Sequence, residues 1–399
     1  MELVQEKKYS NKWIMVGQML FAFVLFIFSI DLLTVSLLHM NNEVANKIFM
    51  ATNNPFVGLF IGLLMTALIQ SSSTVTAMVV AVVASGSLST MQAVPLVMGA
   101  NIGTTITSTL VSFTYIMKKS EYKKALSAGV LHDLFNIITV IILLPLEVYF
   151  GLLSELAHYI TITFFDGKSG FDGSFSLHIA FTRSWANQLV ELVNFPIASL
   201  LLSVLSIFLS IKLLSGTVYK AFISKSFIKV SKHIFKLPFR SFAYGFFITA
   251  AVQSSTVTTS LMVPAVATKK ISLTRVFPFI IGANIGTTVT AAIAAIFKTD
   301  AAITIAIVHF LFNLIGALIF LPFSAIRNIP VKLAIYFGKK SAKMKFVGFA
   351  YILLTFFIIP FLLIYFNKND DVRDLNVPWS QVKATEINKD KKELMDLEK

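Results

Sequence analysis

Cysteine is missing from the chain altogether. Disulfides, thiolate metal sites and cysteine nucleophiles are thereby excluded. Charge is scarce as well: 14% of the 399 residues are charged, where soluble domains carry roughly a quarter. Acids are the scarcer sign, with 20 Asp and Glu against 34 Lys and Arg, a net charge of +14. What fills the chain instead is apolar, 56% of all residues, with a mean hydropathy of +0.78. Runs such as 13–38, 189–214 and 346–366 reach the roughly 20 residues that a helix needs to cross a bilayer. The expected class is an all-α integral membrane protein set in the lipid bilayer.

The positive surplus is gathered into segments beside the apolar runs. Lys212, Lys220, Lys225, Lys229, Lys232, Lys236 and Arg240 have no acid among them, and Arg327, Lys332, Lys339, Lys340, Lys343 and Lys345 repeat the pattern. Basic loops next to spans mark the cytoplasmic side, helped by anionic headgroups. Topology accounts for the charge, and no nucleic-acid partner is expected.

Lys7, Lys8 and Lys12 place the N-terminus in the cytoplasm of a cell (plasma or inner) membrane. The run 13–38 then crosses outward; no secretory cleavage pattern follows it, so it is expected to stay. Asp31 lies near its end, where an acid is expected to reach water. The apolar run 56–84 is interrupted by Gln70, Ser71, Ser72 and Ser73, either as one span or as two half-helices. The next span, 94–117, ends at Lys118, Lys119, Lys123 and Lys124. A full crossing by 56–84 would put these lysines outside, whereas a re-entrant hairpin keeps them inside. Charge therefore supports the hairpin, and non-helical backbone at membrane depth survives only when buried in protein or lining a cavity. A further span over 125–150, an outer loop over 151–183 and an inward span over 189–214 complete the first half. Arg183 and Arg275 are expected to be loop charges.

The second half repeats the first. Gln253-Ser254-Ser255-Thr256 echoes the Gln70 motif at a shift of 253 − 70 = 183, and Gly-Ala-Asn-Ile-Gly-Thr-Thr at 99–105 returns at 282–288 with the same shift. Pro55, Gly62, Thr66 and Pro95 match Pro238, Gly245, Thr249 and Pro278. His132 to Asn136 matches His309 to Asn313 at 309 − 132 = 177, six residues having been lost between. By the charge count the first hairpin opens from outside and the second from inside, an inverted-topology repeat of the kind many secondary transporters share. The expected organisation is an N-terminal tail, first helix and outer loop over 1–54, repeat 1 over 55–150, and an outer loop, linking helix and basic loop over 151–237. Repeat 2 follows over 238–326, then a basic segment and last span over 327–366 and a polar tail over 367–399. The crossing count puts that tail outside, with the amphipathic stretch near 329–337 taken as non-crossing.

The duplicated polar clusters suggest one central site. At each break a returning half-helix offers free N–H groups and a positive dipole end, suited to an anion. Hydroxyls at Ser71, Ser72, Ser73, Ser254, Ser255 and Thr256 both donate and accept. Gln70, Gln253, Asn101, Asn284, Thr104, Thr105, Thr287 and Thr288 supply neutral oxygens for a hard cation such as sodium. Gly99, Gly103, Gly282 and Gly286 fit close helix packing equally well, but packing is a poor account of buried Asn101 and Asn284. His132 and His309 are read first as structural hydrogen bonds at a helix crossing, with a pH-dependent charge as the other option.

The paired Gln-Ser-Ser and Gly-Ala-Asn-Ile-Gly-Thr-Thr motifs, with His132-Asp133 and Leu144-Pro145-Leu146-Glu147, resemble the type II sodium–phosphate cotransporter family, its bacterial members included. The likeness covers about 55–366. It implies sodium-driven uptake of inorganic phosphate, with the two Gln-Ser-Ser regions forming the substrate and sodium sites. Phosphate is then expected at Ser71, Ser72, Ser73, Ser254, Ser255 and Thr256, and sodium at the amides and threonines. No cofactor beyond the co-transported ion is implied. The short tail from Asn367 leaves no room for the C-terminal regulatory domain of some relatives, so a plain transporter is expected.

Three rivals follow from the residues. A sodium-coupled carrier of sulfate or a carboxylate would present similar acceptors. A membrane enzyme acting on phosphorylated lipid needs converging acid–base groups, and the spans offer mainly His132, Asp133 and His309, with Glu147 and Glu191 nearer the ends. A channel fits inverted hairpins poorly.

Overall fold

The computed structural model describes residues 2–40, 52–165, 180–222, 235–296 and 298–367. The outer-loop readings at 41–51 and 166–179, the basic residues Lys225, Lys229 and Lys232, and the tail from 368 lie outside them. All regular structure among the described residues is helical.

Helix α1 (Glu2–Leu38) is followed by α2 (Pro55–Ile69) and α3 (Ser72–Ala84). Next come α4 (Thr90–Gly103), α5 (Ile106–Ser112) and the long α6 (Lys119–Phe150). Helices α7 (Leu152–Phe164), α8 (Ala180–Val193) and α9 (Pro196–Phe222) lead to the second copy. There α10 (Pro238–Val252), α11 (Ser255–Ser260) and α12 (Met262–Ala267) precede α13 (Leu273–Ala295) and α14 (Asp300–Phe320). Helix α15 (Ser324–Lys343) and α16 (Lys345–Leu353) continue through one π-turn into α17 (Ile359–Asn367).

Local chemistry starts these helices. Asn54 caps α2 by accepting from Phe56 N at 2.9 Å, with Pro55 at the first helical position, where its missing N–H is not needed. Ser89 and Gln92 form a capping box on α4. Thr299 caps α14, with Asp300 in the first turn.

Seven helical stretches among the described residues are long and apolar enough to cross a membrane: Ile14–Leu38, Thr90–Tyr115, Lys119–Phe150, Pro196–Thr217, Leu273–Ala295, Asp300–Phe320 and Lys345–Phe366. Helix α2 is not one of them. Its 15 residues rise only about 22 Å, against a hydrocarbon core of about 30 Å. The stretches carrying Gly-Ala-Asn-Ile-Gly are the innermost, 83% buried in both copies. Pro196–Thr217 and Lys345–Phe366 are only 33% and 22% buried, and their exposed Leu201, Leu205, Phe361 and Phe366 form an apolar perimeter suited to lipid.

The two copies share their core. One cluster joins Leu59, Leu63 and Val97 to Ala294, Val308 and Phe312. Another joins Leu131 and Phe135 to Phe277, Phe279 and Phe320, with Phe135 edge-on to Phe277 at 5.8 Å and to Phe320 at 5.4 Å.

Four local readings of the sequence are corrected. Arg183 and Arg275 are not loop charges: they lie in α8 and in the first turn of α13. The apolar run 189–214 is not one helix: Asn194 takes φ +46 and Pro196 starts a new helix, so the span begins later. Residues 152–164 are helical rather than loop, and Thr161 bonds Thr304 of α14 at 2.9 Å. Asp31 does not reach water. It is 4% exposed, forms an ion pair with Lys298 and accepts from Thr182 Oγ1 at 2.6 Å.

Candidate functional site

The Gln-Ser motif breaks the backbone in the same way in both copies. Gln70 and Gln253 close α2 and α10 in the left-handed region, at φ/ψ of 57/29 and 56/27. Ser71 and Ser254 follow in extended conformation, at −148/101 and −148/104. Each serine then caps the next helix, Ser71 Oγ accepting from Thr74 N at 3.2 Å and Ser254 Oγ from Val257 N at 3.3 Å. A left-handed glutamine costs on the order of 1–2 kcal/mol. That cost is met twice, at matched positions of the two copies.

The two breaks touch. Ser73 Oγ donates to the main-chain carbonyl of Gln253 at 3.0 Å, and Thr256 Oγ1 donates to that of Gln70 at 3.4 Å. Since 70 + 183 = 253 and 73 + 183 = 256, these are the same bond made in both directions. Ser72, Ser73 and Ser255 are buried, Ser71, Ser254, Gln253 and Thr256 half-buried, and Gln70 exposed. All six hydroxyl residues expected to hold an anion thus sit at one junction.

The expected cation ligands divide. Gln70 and Gln253 stand at that junction, whereas Asn101 and Asn284 lie in a second, wholly buried network. His132 Nε2 donates to Asn284 Oδ1 at 2.6 Å, and Asn284 Nδ2 donates to Asn136 Oδ1 at 2.6 Å. Asn136 Nδ2 in turn reaches the Asn101 carbonyl at 2.7 Å. In mirror fashion, His309 Nε2 and Asn313 Nδ2 both donate to Asn101 Oδ1 at 3.3 Å. Each asparagine is therefore held by the histidine of the other copy, a hydrogen bond at a helix crossing of the kind expected for His132 and His309, while Nδ1 of both histidines is buried without a hydrogen-bond partner. Thr104, Thr105, Thr287 and Thr288 donate to carbonyls of their own helices, Ala100, Ile102, Ala283 and Ile285, at 2.7 to 3.1 Å. Such hydroxyls keep oxygen lone pairs for a cation.

Glycines bring these helices together. A Cβ on Gly99 or Gly282 would fall on the Leu59 or Phe242 carbonyl, and one on Gly62 or Gly245 on the Leu96 or Phe279 carbonyl. Backbone thus lies against backbone between α2 and α4 and between α10 and α13. Ser108 of α5 and Thr259 of α11 then bond across the copies at 3.1 Å.

One residue was weighed in the sequence only as an enzyme group. Asp133 is fully buried in α6. Its Oδ2 accepts from Thr109 Oγ1 and from the Tyr351 hydroxyl, both at 3.0 Å. Its Oδ1 has no hydrogen-bond partner, and Thr105, its hydroxyl turned to Ile102, is a neighbour of the carboxylate. The matched position in the other copy is Phe310, at 133 + 177. An acid within a span, without a counterpart in the other copy, was the signal available.

Comparison with known proteins decides the family. Residues 25–146 and 207–359 match the Na+/Pi-cotransporter family. The chain belongs to this family. As a family member it is similar to sodium-dependent phosphate transport protein 2A of Ovis aries, 29% identical over 90% of the chain and 68% of that protein. Sodium-dependent phosphate transport protein 2B of Homo sapiens is 28% identical over 84% of the chain and 62% of that protein. No solved structure matches. These relatives are transporters, and the membrane-enzyme reading is set aside.

Proposed function

We propose that the chain is a symporter importing inorganic phosphate with sodium across the cell membrane by alternating access. The observation that carries this reading is the reciprocal pair of bonds, Ser73 to Gln253 and Thr256 to Gln70, which joins two duplicated polar breaks. Phosphate binds at Ser71, Ser72, Ser73, Ser254, Ser255 and Thr256 and at the N-termini of α3 and of the 255–267 segment. Sodium binds among Gln70, Gln253, Thr104, Thr105, Thr287 and Thr288, with Asn101 and Asn284 holding the two copies in register beside it. Asp133, buried and half-paired, supplies a charge that sodium neutralises. Sodium also offsets the phosphate dianion, because the polar breaks carry no Lys or Arg of their own.

In this reading α2–α3 and α10–α12 are re-entrant hairpins of two inverted repeats, over 55–150 and 238–326. Segments 1–54, 151–237 and 327–366 flank and link them, and the 367–399 tail follows. The N-terminus and the basic segments face the cytoplasm. The helix lengths support the hairpins, since α2 and α3 together are 28 residues with a break between them.

The test is uptake of radiolabelled phosphate into proteoliposomes with and without a sodium gradient. Uptake that is unchanged without sodium overturns the coupling. Gln70→Ala and Gln253→Ala should each lower uptake, and full transport by both counts against the site. Competition by sulfate or a carboxylate stronger than by phosphate would reassign the anion.

A further inference from the structure

Lys269 stands where the fold favours glycine. It takes φ +61 in the turn after α12, and its counterpart in the first copy is Gly86, at 269 − 183, with φ +76. The same turn is built twice, and the second copy carries a side chain at a cost on the order of 1 kcal/mol. That lysine is exposed, and it is a neighbour of Lys124 on α6, because the adjoining Ala125 shares one core cluster with Val266, Ala267 and Ile271 on either side of the turn. Two like charges held together need a counter-ion. Lys123 lies beside them, and Lys270 follows in the turn. Helix α15 adds more: Gly338 packs on the Lys123 carbonyl and on Ser127, which brings the exposed Lys339 and Lys340 to the same end of α6. The one acid of this end of α6, Glu121, pairs with Lys118 at 3.7 Å and also acts on Lys124, a single negative charge against the whole basic set.

The position of the cluster selects the ligand. Lys124 lies in the second turn of a membrane-length helix beginning at Lys119. On α15 the exposed Ile329, Leu333 and Tyr336 alternate with Lys332, Lys339 and Lys340, the pattern of a helix lying in a headgroup layer. We propose that Lys124 and Lys269 form a binding site for the phosphate group of an anionic lipid in the cytoplasmic leaflet, with the basic face of α15 beside it. The site rests on the inward placement of the basic segments given under the proposed function. A topological role for these lysines needs positive charge anywhere in the loops; a site needs these two together.

Lys269→Gly is the informative variant, because it relieves the left-handed strain and removes the charge without threatening the fold. The full chain is purified, and its affinity for phosphatidylglycerol is measured by titrating thermal stability against vesicles of phosphatidylcholine with and without phosphatidylglycerol. Lys269→Gly and Lys124→Gln should each weaken the phosphatidylglycerol affinity about fivefold, the equivalent of about 1 kcal/mol per basic residue at a membrane surface, while stability in phosphatidylcholine is kept. Lys236→Gln, another basic residue of the same side, should leave it unchanged. Equal weakening by all three variants, or none by the first two, overturns the site. Protection by inorganic phosphate that Lys269→Gly and Lys124→Gln weaken as much as they weaken protection by phosphatidylglycerol overturns the lipid as its source, whereas phosphate protection that these variants leave unchanged belongs to the transport site. Binding is read without transport, so a chain that imports no phosphate still reports on it.

Discussion

The Ser73 hydroxyl donates to the Gln253 carbonyl at 3.0 Å across 180 residues of sequence, and the matched Thr256 makes the return bond at 3.4 Å. The shorter bond is also the more buried, so the two are not equivalent in strength. Ser73→Ala leaves the Gln253 carbonyl short of a donor, at a cost of about 1 kcal/mol, and should lower phosphate uptake several-fold. Ser73→Thr keeps a hydroxyl, as the second copy already does, and should retain most of the uptake. Thr256→Ala should be the milder of the two alanine changes. Initial uptake rates in proteoliposomes rank the three.

The His132–Asn284 bond, 2.6 Å and fully buried, should behave as a coupled pair. Hydrogen bonds between membrane helices average only about 0.6 kcal/mol, but an orphaned buried partner costs about 1–3 kcal/mol. Asn284→Ala strips partners from both His132 and Asn136 and should destabilise more than His132→Ala. A double-mutant cycle on thermal unfolding in detergent should return a coupling above 0.5 kcal/mol, the level expected of residues in direct contact. Simple additivity would show that the bond contributes nothing.

Much of this fold could be read from the residues. The 183-residue register, the breaks at Gln70 and Gln253 and the membrane class all appear in the string, because each is a local or periodic signal. Partner exchange was not legible: nothing local says that His132 is bonded to Asn284 rather than to Asn101. Asp31 was misjudged for the same reason, since its cation lies 267 residues away. The split of the 189–214 run was written locally, in Asn194 and Pro196, but apolar content alone ran across it. For the glycines, sequence left packing and site roles level; the carbonyls facing Gly99 and Gly282 decide for packing.

Those glycines give a graded test. Gly99→Ala and Gly282→Ala each place a methyl on a main-chain carbonyl, which backbone can relieve only by moving. Overpacking of this kind costs about 1–3 kcal/mol or more, and both variants should lose thermal stability and uptake together. Gly216→Ala, in α9 with nothing within 4 Å of the added atom, should be neutral or slightly stabilising, because alanine is favoured over glycine in a helix by about 1 kcal/mol. Melting temperatures of the purified variants give the ranking.

The Asp31–Lys298 pair ties α1 to the turn between α13 and α14, and both side chains are almost entirely enclosed, at 5% and 7% exposure. Removing one charge leaves the other buried and unpaired, a loss of about 3–5 kcal/mol. Asp31→Asn and Lys298→Met should therefore each lower the melting temperature sharply. Asp31→Asn retains an oxygen for the Thr182 hydroxyl, now bonded to Asp31 at 2.6 Å, so it should be the milder of the two. Combining Asp31→Leu with Lys298→Met removes both charges and should recover most of the stability, because an apolar pair carries no desolvation cost. If stability returns while sodium-driven uptake stays low, the ion pair acts in the transport cycle. If both return together, it serves only to fasten α1 to the core.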